Sequence, residues 1–465
     1  MVDKRSHLPN RREYMKGVLG AGLLTGLAGC TGNVSSGNDT SEGGSGDSTG
    51  GDSGGSTGEG SGSGNSENWK DNADLPITWL TWNHGHFSDW LPDWSSAFEE
   101  EHGVEAKWLD RPADQMVTFV QSRFQSGNPP NAIDMQSTSW VSFVDQGGFV
   151  PLDDLFSDER LDKIPKATRE FVTYNGKLYG FPHFQNMGYQ MHNRPLYDEL
   201  GMDEVPRTTK EVFDTAERYV DETEAEFGLT FLRYGFGLWQ FFANEDIPLV
   251  ENGQAGFNTD RTVEILERLR QLTDDGVIPE ITWTSRKEGQ ASNFGAGKTG
   301  MALFQGSLYR NVESAGGDWV TPDALLMENF EGAPFQVHAF FISATGDDAT
   351  VTGTSKFLEV AGNRENQVQW QKQVPNPVSR TDVLDEFLND DKWGDWRESN
   401  PLLVKQTDIM TKALEEETLF IPPRIPGITE AYDVLSREFT NAALGEQSAE
   451  KAVSNAASEM NSIIQ

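Results

Sequence analysis

Between residue 31 and about residue 70 the chain carries almost no apolar side chain, and from Leu75 onward its character changes sharply. The first tract, typified by SEGGSGDSTGGDSGGSTGEGSGSG, has nothing to bury. Glycine and serine leave it flexible and its acids repel one another. About 40 such residues span roughly 35 Å on average, so the tract reads as a leash. Any folded body is therefore confined to residues 75–465. At roughly 150 residues per domain, a 465-residue chain allows two or three domains. Aromatic residues make up 11% of it, 13 of them Trp, which is enough for a core and excludes disorder throughout.

Charge narrows the partners. The chain has 73 Asp+Glu against 37 Lys+Arg, a net charge of −36. Such a surface repels phosphate backbones, which excludes nucleic acid. It also avoids anionic membrane surfaces unless something other than charge holds it there. The acids are dispersed, as in Glu99-Glu100-Glu101, Asp153-Asp154, Asp274-Asp275, Asp390-Asp391 and Glu415-Glu416-Glu417. A uniformly acidic surface is best tolerated where salt screens its self-repulsion, so a brine-living source is expected. A single cysteine rules out a disulfide scaffold and Cys-clustered metal sites.

Residues 1–29 read as a signal. Lys4, Arg5, Arg11, Arg12 and Lys16 precede the short apolar run Gly17 to Gly29, too short for an ordinary spanning helix. The Asn10-to-Lys16 segment, with Arg11 and Arg12, resembles a twin-arginine export signal, which carries folded proteins across a membrane. Leu27-Ala28-Gly29-Cys30 resembles a lipobox, which implies lipidation of Cys30 and a leash over residues 30–72. Five Lys/Arg and two Asp/Glu leave with the signal, so the mature charge moves from −36 to −39. The expected place is the outer face of the cell membrane, held there by the lipid.

The body alternates strand and helix. Ile77–Trp82, Val104–Leu109 and Ala132–Gln136 read as strands. Residues 89–102, 115–125 and 140–146 read as helices, with Gly103, Gly127 and Gly147-Gly148 as stops. This alternation predicts an α/β fold with a parallel sheet.

Further motifs follow in order: Asn175-Gly176-Lys177-Leu178-Tyr179-Gly180-Phe181-Pro182, then His192-Asn193-Arg194-Pro195-Leu196-Tyr197, then Pro206-Arg207-Thr208-Thr209-Lys210-Glu211. After them come Phe294 to Ala302 with Gln305-Gly306-Ser307, the Gln367-to-Pro375 stretch, and Leu435 to Ala452 as a closing helix. Residues 75–465 thereby resemble the extracellular solute-binding proteins of ABC importers, the family that includes maltose-binding protein. Two places depart from the pattern: His192 stands where Tyr is usual, and Ala333 to His338 lacks paired glycines.

The resemblance implies a periplasmic-binding-protein-like fold of two α/β lobes with a hinge and a cleft. Lobe 1 is expected over 73–184 plus 338–390, and lobe 2 over 185–337 plus 391–465. Crossings are expected near 181–188, 334–338 and 389–400. The resemblance also implies a monomeric binder with no cofactor and no enzymatic activity. Its partners would be a small solute, a sugar or oligosaccharide in the first reading, and ABC permease subunits. A halophilic archaeal microbe is the expected source. Another small solute (glycerol phosphate, a polyamine or a metal) and a secreted glycoside hydrolase are the alternatives.

Ligands of open α/β sheets bind beyond the carboxyl ends of the strands. Aromatic rings there can cover sugar faces, and amides or Arg can pair with hydroxyls. The candidates are Trp82, Asn83, His84, Trp140, Phe184, Gln185, Asn186, Trp239, Gln305, Ser307, Trp319, His338 and Arg424. Trp79, Trp90, Trp94 and Trp108 fit core faces instead. Gly297-Lys298-Thr299 lacks the upstream glycine of a phosphate loop, position 292 being Ser, and reads as a turn before a strand. His84-Gly85-His86 reads as a loop at the cleft mouth, and no metal site is expected.

Overall fold

The computed structural model describes residues 69–82, 91–112, 115–136, 138–233, 237–285, 287–316, 319–374 and 376–464. These belong to the compact unit Gly64–Gln465. The export signal with Arg11 and Arg12, Cys30, most of the leash, Asn83 and His84 lie outside the described residues.

Strand β1 (Ile77–Trp82) leads into helix α1 (Pro92–His102), which starts with a proline and is closed by Gly103 in the left-handed region. Strand β2 (Ala106–Arg111), helix α2 (Met116–Gln125), strand β3 (Ala132–Gln136) and the short helix α3 (Val141–Asp145) follow. β1 pairs parallel with both β2 and β3. Its residues are buried or half-buried on both faces, as a strand between helical layers must be.

Strand β4 (Gly180–Asn193) is the longest in the molecule's described part, 14 residues, every one buried. From the sequence only Met187 to His192 reads as a strand. Six polar side chains, at His183, Gln185, Asn186, Gln190, His192 and Asn193, hide its apolar pattern. Helix α4 (Thr209–Glu222) begins with a reciprocal capping box between Thr208 and Glu211, a motif that contributes about 1 kcal/mol. Strand β5 (Phe227–Phe231), helix α5 (Asp260–Asp274), strand β6 (Thr299–Gln305), strand β7 (Leu325–Glu328) and strand β8 (Phe335–Ile342) follow, and these strands complete the main sheet.

The sheet runs β2-β1-β3-β8-β4-β6-β5, with β7 also pairing β4. β4 therefore belongs to two wings. Residues 180–187 pair antiparallel with β8, whose other edge is bonded to β3. Residues 188–193 pair antiparallel with β6 and β7, and β6 pairs parallel with β5. Asn186 and Met187 sit at the junction.

Among the further helices are α6 (Asp348–Ala361), α7 (Arg364–Gln373), α8 (Thr381–Asn389), α9 (Pro401–Glu415), α10 (Ile428–Ala443) and α11 (Ala449–Ile463). The closing helix expected over 435–452 is in fact two, α10 and α11. They part at Leu444-Gly445, where Gly445 has φ 76. None of the described helices is long and apolar enough to cross a membrane. Trp79 and Trp94 are core residues, 0% and 1% exposed, with rings 5.8 Å apart. Lys298 is a turn residue, paired with Glu226 on the surface at 2.8 Å.

Candidate functional site

At the carboxyl ends of β1 and β3 lies a cavity of about 120 Å³. Trp82, the last residue of β1, forms one side. Met116, Val117 and Val120 of α2 supply an apolar wall. Asp134, Met135 and Gln136 of β3, with Ser139 and Thr429, supply the rest. Thr429 reaches it from the first turn of α10. That helix is capped by Gly427 at φ 77, whose N–H donates to Ser142 Oγ at 3.3 Å. Only glycine serves at 427: its backbone is left-handed, and a Cβ would lie 2.7 Å from Ile463. A larger groove of about 820 Å³ runs between α8, α9 and Pro165-Lys166. It lies among helices, away from the strand ends, and among the described residues no aromatic ring lines it.

Beneath Trp82 sits a buried polar group. The Trp82 ring is 5.5 Å from His338. His338 lies flat on Phe184, with centroids 4.0 Å apart and planes at 17°. Phe184 in turn stacks on Trp370 at 4.8 Å. A bulge explains how His183 and His338 come to share a face. His338 of β8 pairs with Phe184, but Ala339 pairs with Pro182, so His183 is the extra residue of β4. Two residues opposite one re-aim the bulged side chain. His183 Nε2 is thereby 3.3 Å from Asp134 Oδ1, and His338 Nδ1 is 3.6 Å from the same oxygen. The other carboxylate oxygen accepts a 2.6 Å hydrogen bond from Thr81 Oγ1. Burial by itself would raise the Asp134 carboxyl. The charge and polar contacts of His183, then those of His338, outweigh it and hold the group well below the carboxylate range.

A second polar group lies at the junction of the wings. Asn186 Oδ1 accepts from Met187 N at 2.9 Å and from Gly306 N at 3.2 Å. Gln305 Nε2 donates to Gln336 Oε1 at 2.8 Å. Ser307 follows in the same turn, half-buried.

Of the expected residues, then, the structure places Trp82 at the cavity with His338 packed against its ring, and Asn186, Gln305 and Ser307 at the junction. Others are corrected. Trp140 is 1% exposed and stacked on Phe341 at 5.1 Å, and Trp239 is 2% exposed among Phe242, Phe257 and Phe420. Both sit just before short helices, with their rings turned into the core. Trp319 packs on Phe294 and donates its indole N–H to the Gly295 carbonyl, which closes the turn around Gly297. Phe184 backs His338 instead of reaching the cavity. Gln185 is held in the core, accepting from Thr168 Oγ1 at 2.5 Å and donating to the Val378 carbonyl at 3.3 Å. Arg424 is half-buried; desolvation lowers its pKa, against the opposing charge of Glu170. Asp134, His183, Gln136, Ser139 and Thr429 were not foreseen. An acid in the middle of an apolar strand, Ile133-Asp134-Met135, was the one available signal.

The sequence profile of the bacterial extracellular solute-binding proteins matches residues 93–399. A protein of Brucella abortus, called a binding protein, is 21% identical over 383 residues, 79% of this chain and 88% of its own. A galactooligosaccharide-binding protein of Bacillus subtilis is 22% identical over 209 residues, 43% of this chain and 48% of its own. Among solved structures, maltose-bound T. maritima MalE3 superposes with a TM-score of 0.66 at 19% identity, covering 83% of this chain and 98% of its own. That likeness establishes the periplasmic-binding-protein-like fold.

Proposed function

Because the chain belongs to the family of bacterial extracellular solute-binding proteins, we propose that it captures a sugar or oligosaccharide and hands it to the membrane subunits of an ABC importer. The observation that carries this reading is the Trp82 cavity: an indole and an apolar wall beside Gln136, Ser139 and Thr429. Such a surface can cover the C–H face of a sugar while its hydroxyls find polar partners. The fold relative solved with maltose and the curated galactooligosaccharide binder support the same solute class.

In this reading the wings are the cores of two lobes, 73–184 plus 338–390 and 185–337 plus 391–465, which bend about the crossing strands. The cavity of about 120 Å³ is small beside the ~300–1,000 Å³ of ordinary ligand sites. Solute entry therefore requires the lobes to part, breaking the Gly427–Ser142 hydrogen bond. Closure over solute gives the importer a way to tell loaded from empty. The protein acts as a monomeric binder and not as an enzyme. It is exported through its twin-arginine signal and held by lipidated Cys30 at the end of the leash. Exposure of the acid runs at Glu99-Glu100-Glu101, Asp153-Asp154 and Glu415-Glu416-Glu417 supports a brine-adapted surface. A thermal transition unchanged between low and molar salt would contradict that part.

Calorimetry of the purified protein against a sugar panel tests the solute. Saturable heat with a sugar, weakened about tenfold by Trp82→Ala (roughly 1.4 kcal/mol), is the expected result. No heat or thermal shift with any sugar, beside clear binding of another solute, would overturn the carbohydrate reading.

A further inference from the structure

From the geometry around Asp134 we infer that the protein binds a divalent transition cation, zinc being the best match, through Asp134 Oδ1, His183 Nε2 and His338 Nδ1.

The distances carry the argument. N–H···O hydrogen bonds run at about 2.7–3.2 Å. The two His–Asp approaches, 3.3 and 3.6 Å, are longer than that. Metal–ligand bonds of about 2.0–2.2 Å in a tetrahedron place neighbouring donor atoms roughly 3.3–3.6 Å apart. All three donor atoms lie within 4.8 Å of one another, and all three residues are buried. The two distances from Asp134 Oδ1 are those of ligands around a common centre.

The hydrogen-bond inventory points the same way. Asp134 Oδ1 and both ring nitrogens of His183 are buried and have no hydrogen bond of ordinary geometry. Buried polar atoms are nearly always satisfied, and a set of them converging on one point signals something that satisfies them. Thr81 occupies Asp134 Oδ2 at 2.6 Å, which turns the other oxygen toward the histidines. Such an outer contact is what fixes a carboxylate ligand in a metal site. The bulge at His183 aims its ring at Asp134, while the backbone on either side bonds residues 377 and 379.

Two imidazoles and one carboxylate are a donor set for zinc and its neighbours, whereas Mg²⁺ and Ca²⁺ prefer all-oxygen sites. Three protein donors leave a four-coordinate cation one further position, for a water oxygen. Asp134 borders the cavity closed by Trp82, so the cation would lie under the cavity floor and fasten β3 to both crossing strands. The cation site is independent of which solute the cavity takes, and it replaces the sequence expectation of no metal.

The test is zinc titration of the chelator-stripped full chain by calorimetry. Molar NaCl and excess Mg²⁺ and Ca²⁺ occupy the surface carboxylates. Cobalt(II) provides an optical probe of tetrahedral coordination. Saturable uptake of one zinc per chain is expected, with a tetrahedral cobalt spectrum. His183→Gln should abolish both, and Thr81→Val should weaken zinc binding about 10–100-fold while the chain stays folded. Thr81→Val decides the matter if His183→Gln does not fold. No saturable uptake by the unsubstituted protein would show that the cluster is an internal ion pair only. Uptake that neither substitution diminishes would place the zinc elsewhere. Either result overturns the assignment.

Discussion

Two buried histidines nine residues apart on β4 have opposite surroundings. His192, in the second wing, has both ring nitrogens engaged: Nδ1 with Tyr219 Oη at 2.8 Å and Nε2 with Gln190 Oε1 at 3.0 Å. Among the described residues no carboxylate touches it, and burial depresses its pKa to about 3, so it stays neutral. His183, in the first wing, is as buried but has a carboxylate at 3.3 Å and no ordinary hydrogen bond. Burial alone does not mark a functional histidine. What separates the two is whether the local hydrogen bonds close without anything added. His192 belongs to the packing, and its departure from the family's usual Tyr is absorbed by Tyr219 and Gln190.

The largest expected effect attacks the closed arrangement from behind. A Cβ at Gly300 would lie 2.2 Å from Cγ of Tyr219, the ring that holds His192. An aromatic ring fixed in a core cannot step aside, so Gly300→Ala should destabilise the protein by about 3 kcal/mol, read as a lower urea midpoint. Unchanged stability would mean that Tyr219 is loosely held.

The next effect is a pH slope. His192 titrates near 3 when folded and near 6.5 when unfolded, so between those values the unfolded chain binds more protons. Its contribution is complete above about pH 6.5 and is lost as pH falls toward 3. By pH 5 the loss should reach about 2 kcal/mol, on the scale of about 1.4 kcal/mol per unit. Denaturant unfolding across this range, compared with His192→Gln, isolates the slope. Equal slopes in the two proteins would show that His192 is not the group responsible.

Tyr219→Phe should cost about 1 kcal/mol by leaving one nitrogen of His192 unmatched. A neutral outcome would mean that water takes the place of the hydroxyl. The smallest effect belongs to Lys298→Ala. The exposed pair with Glu226 contributes less than about 1 kcal/mol, and solute binding should be unaffected. A large loss of binding would reopen a phosphate-loop role for Gly297-Lys298-Thr299.

Legibility followed local signals. β1, β3 and the helices ending at Gly103 and Gly127 were readable, because aromatic runs, helical spacing and left-handed glycines act over a few residues. β4 was only half readable, because its polar residues are satisfied by partners far away in sequence, such as Thr168 and Tyr219. The Trp residues near strand ends were ambiguous for a related reason. Trp82 reaches the cavity while Trp140 turns inward onto Phe341, a choice made by tertiary packing. Asp134 was lost among 73 acids, and its pairing with His183 depends on a bulge that no spacing rule announces.

The sharing of β4 bears on how the molecule comes apart. With all 14 residues buried and both wings bonded to the one strand, neither half can melt while leaving the other's hydrogen-bonded edge intact. The body should therefore denature as one cooperative unit despite its two sheet wings. Amide protons along 180–193 should be among the last to exchange with solvent. Lobe motion, on that view, is bending of a continuous rod and never partial unfolding at a joint.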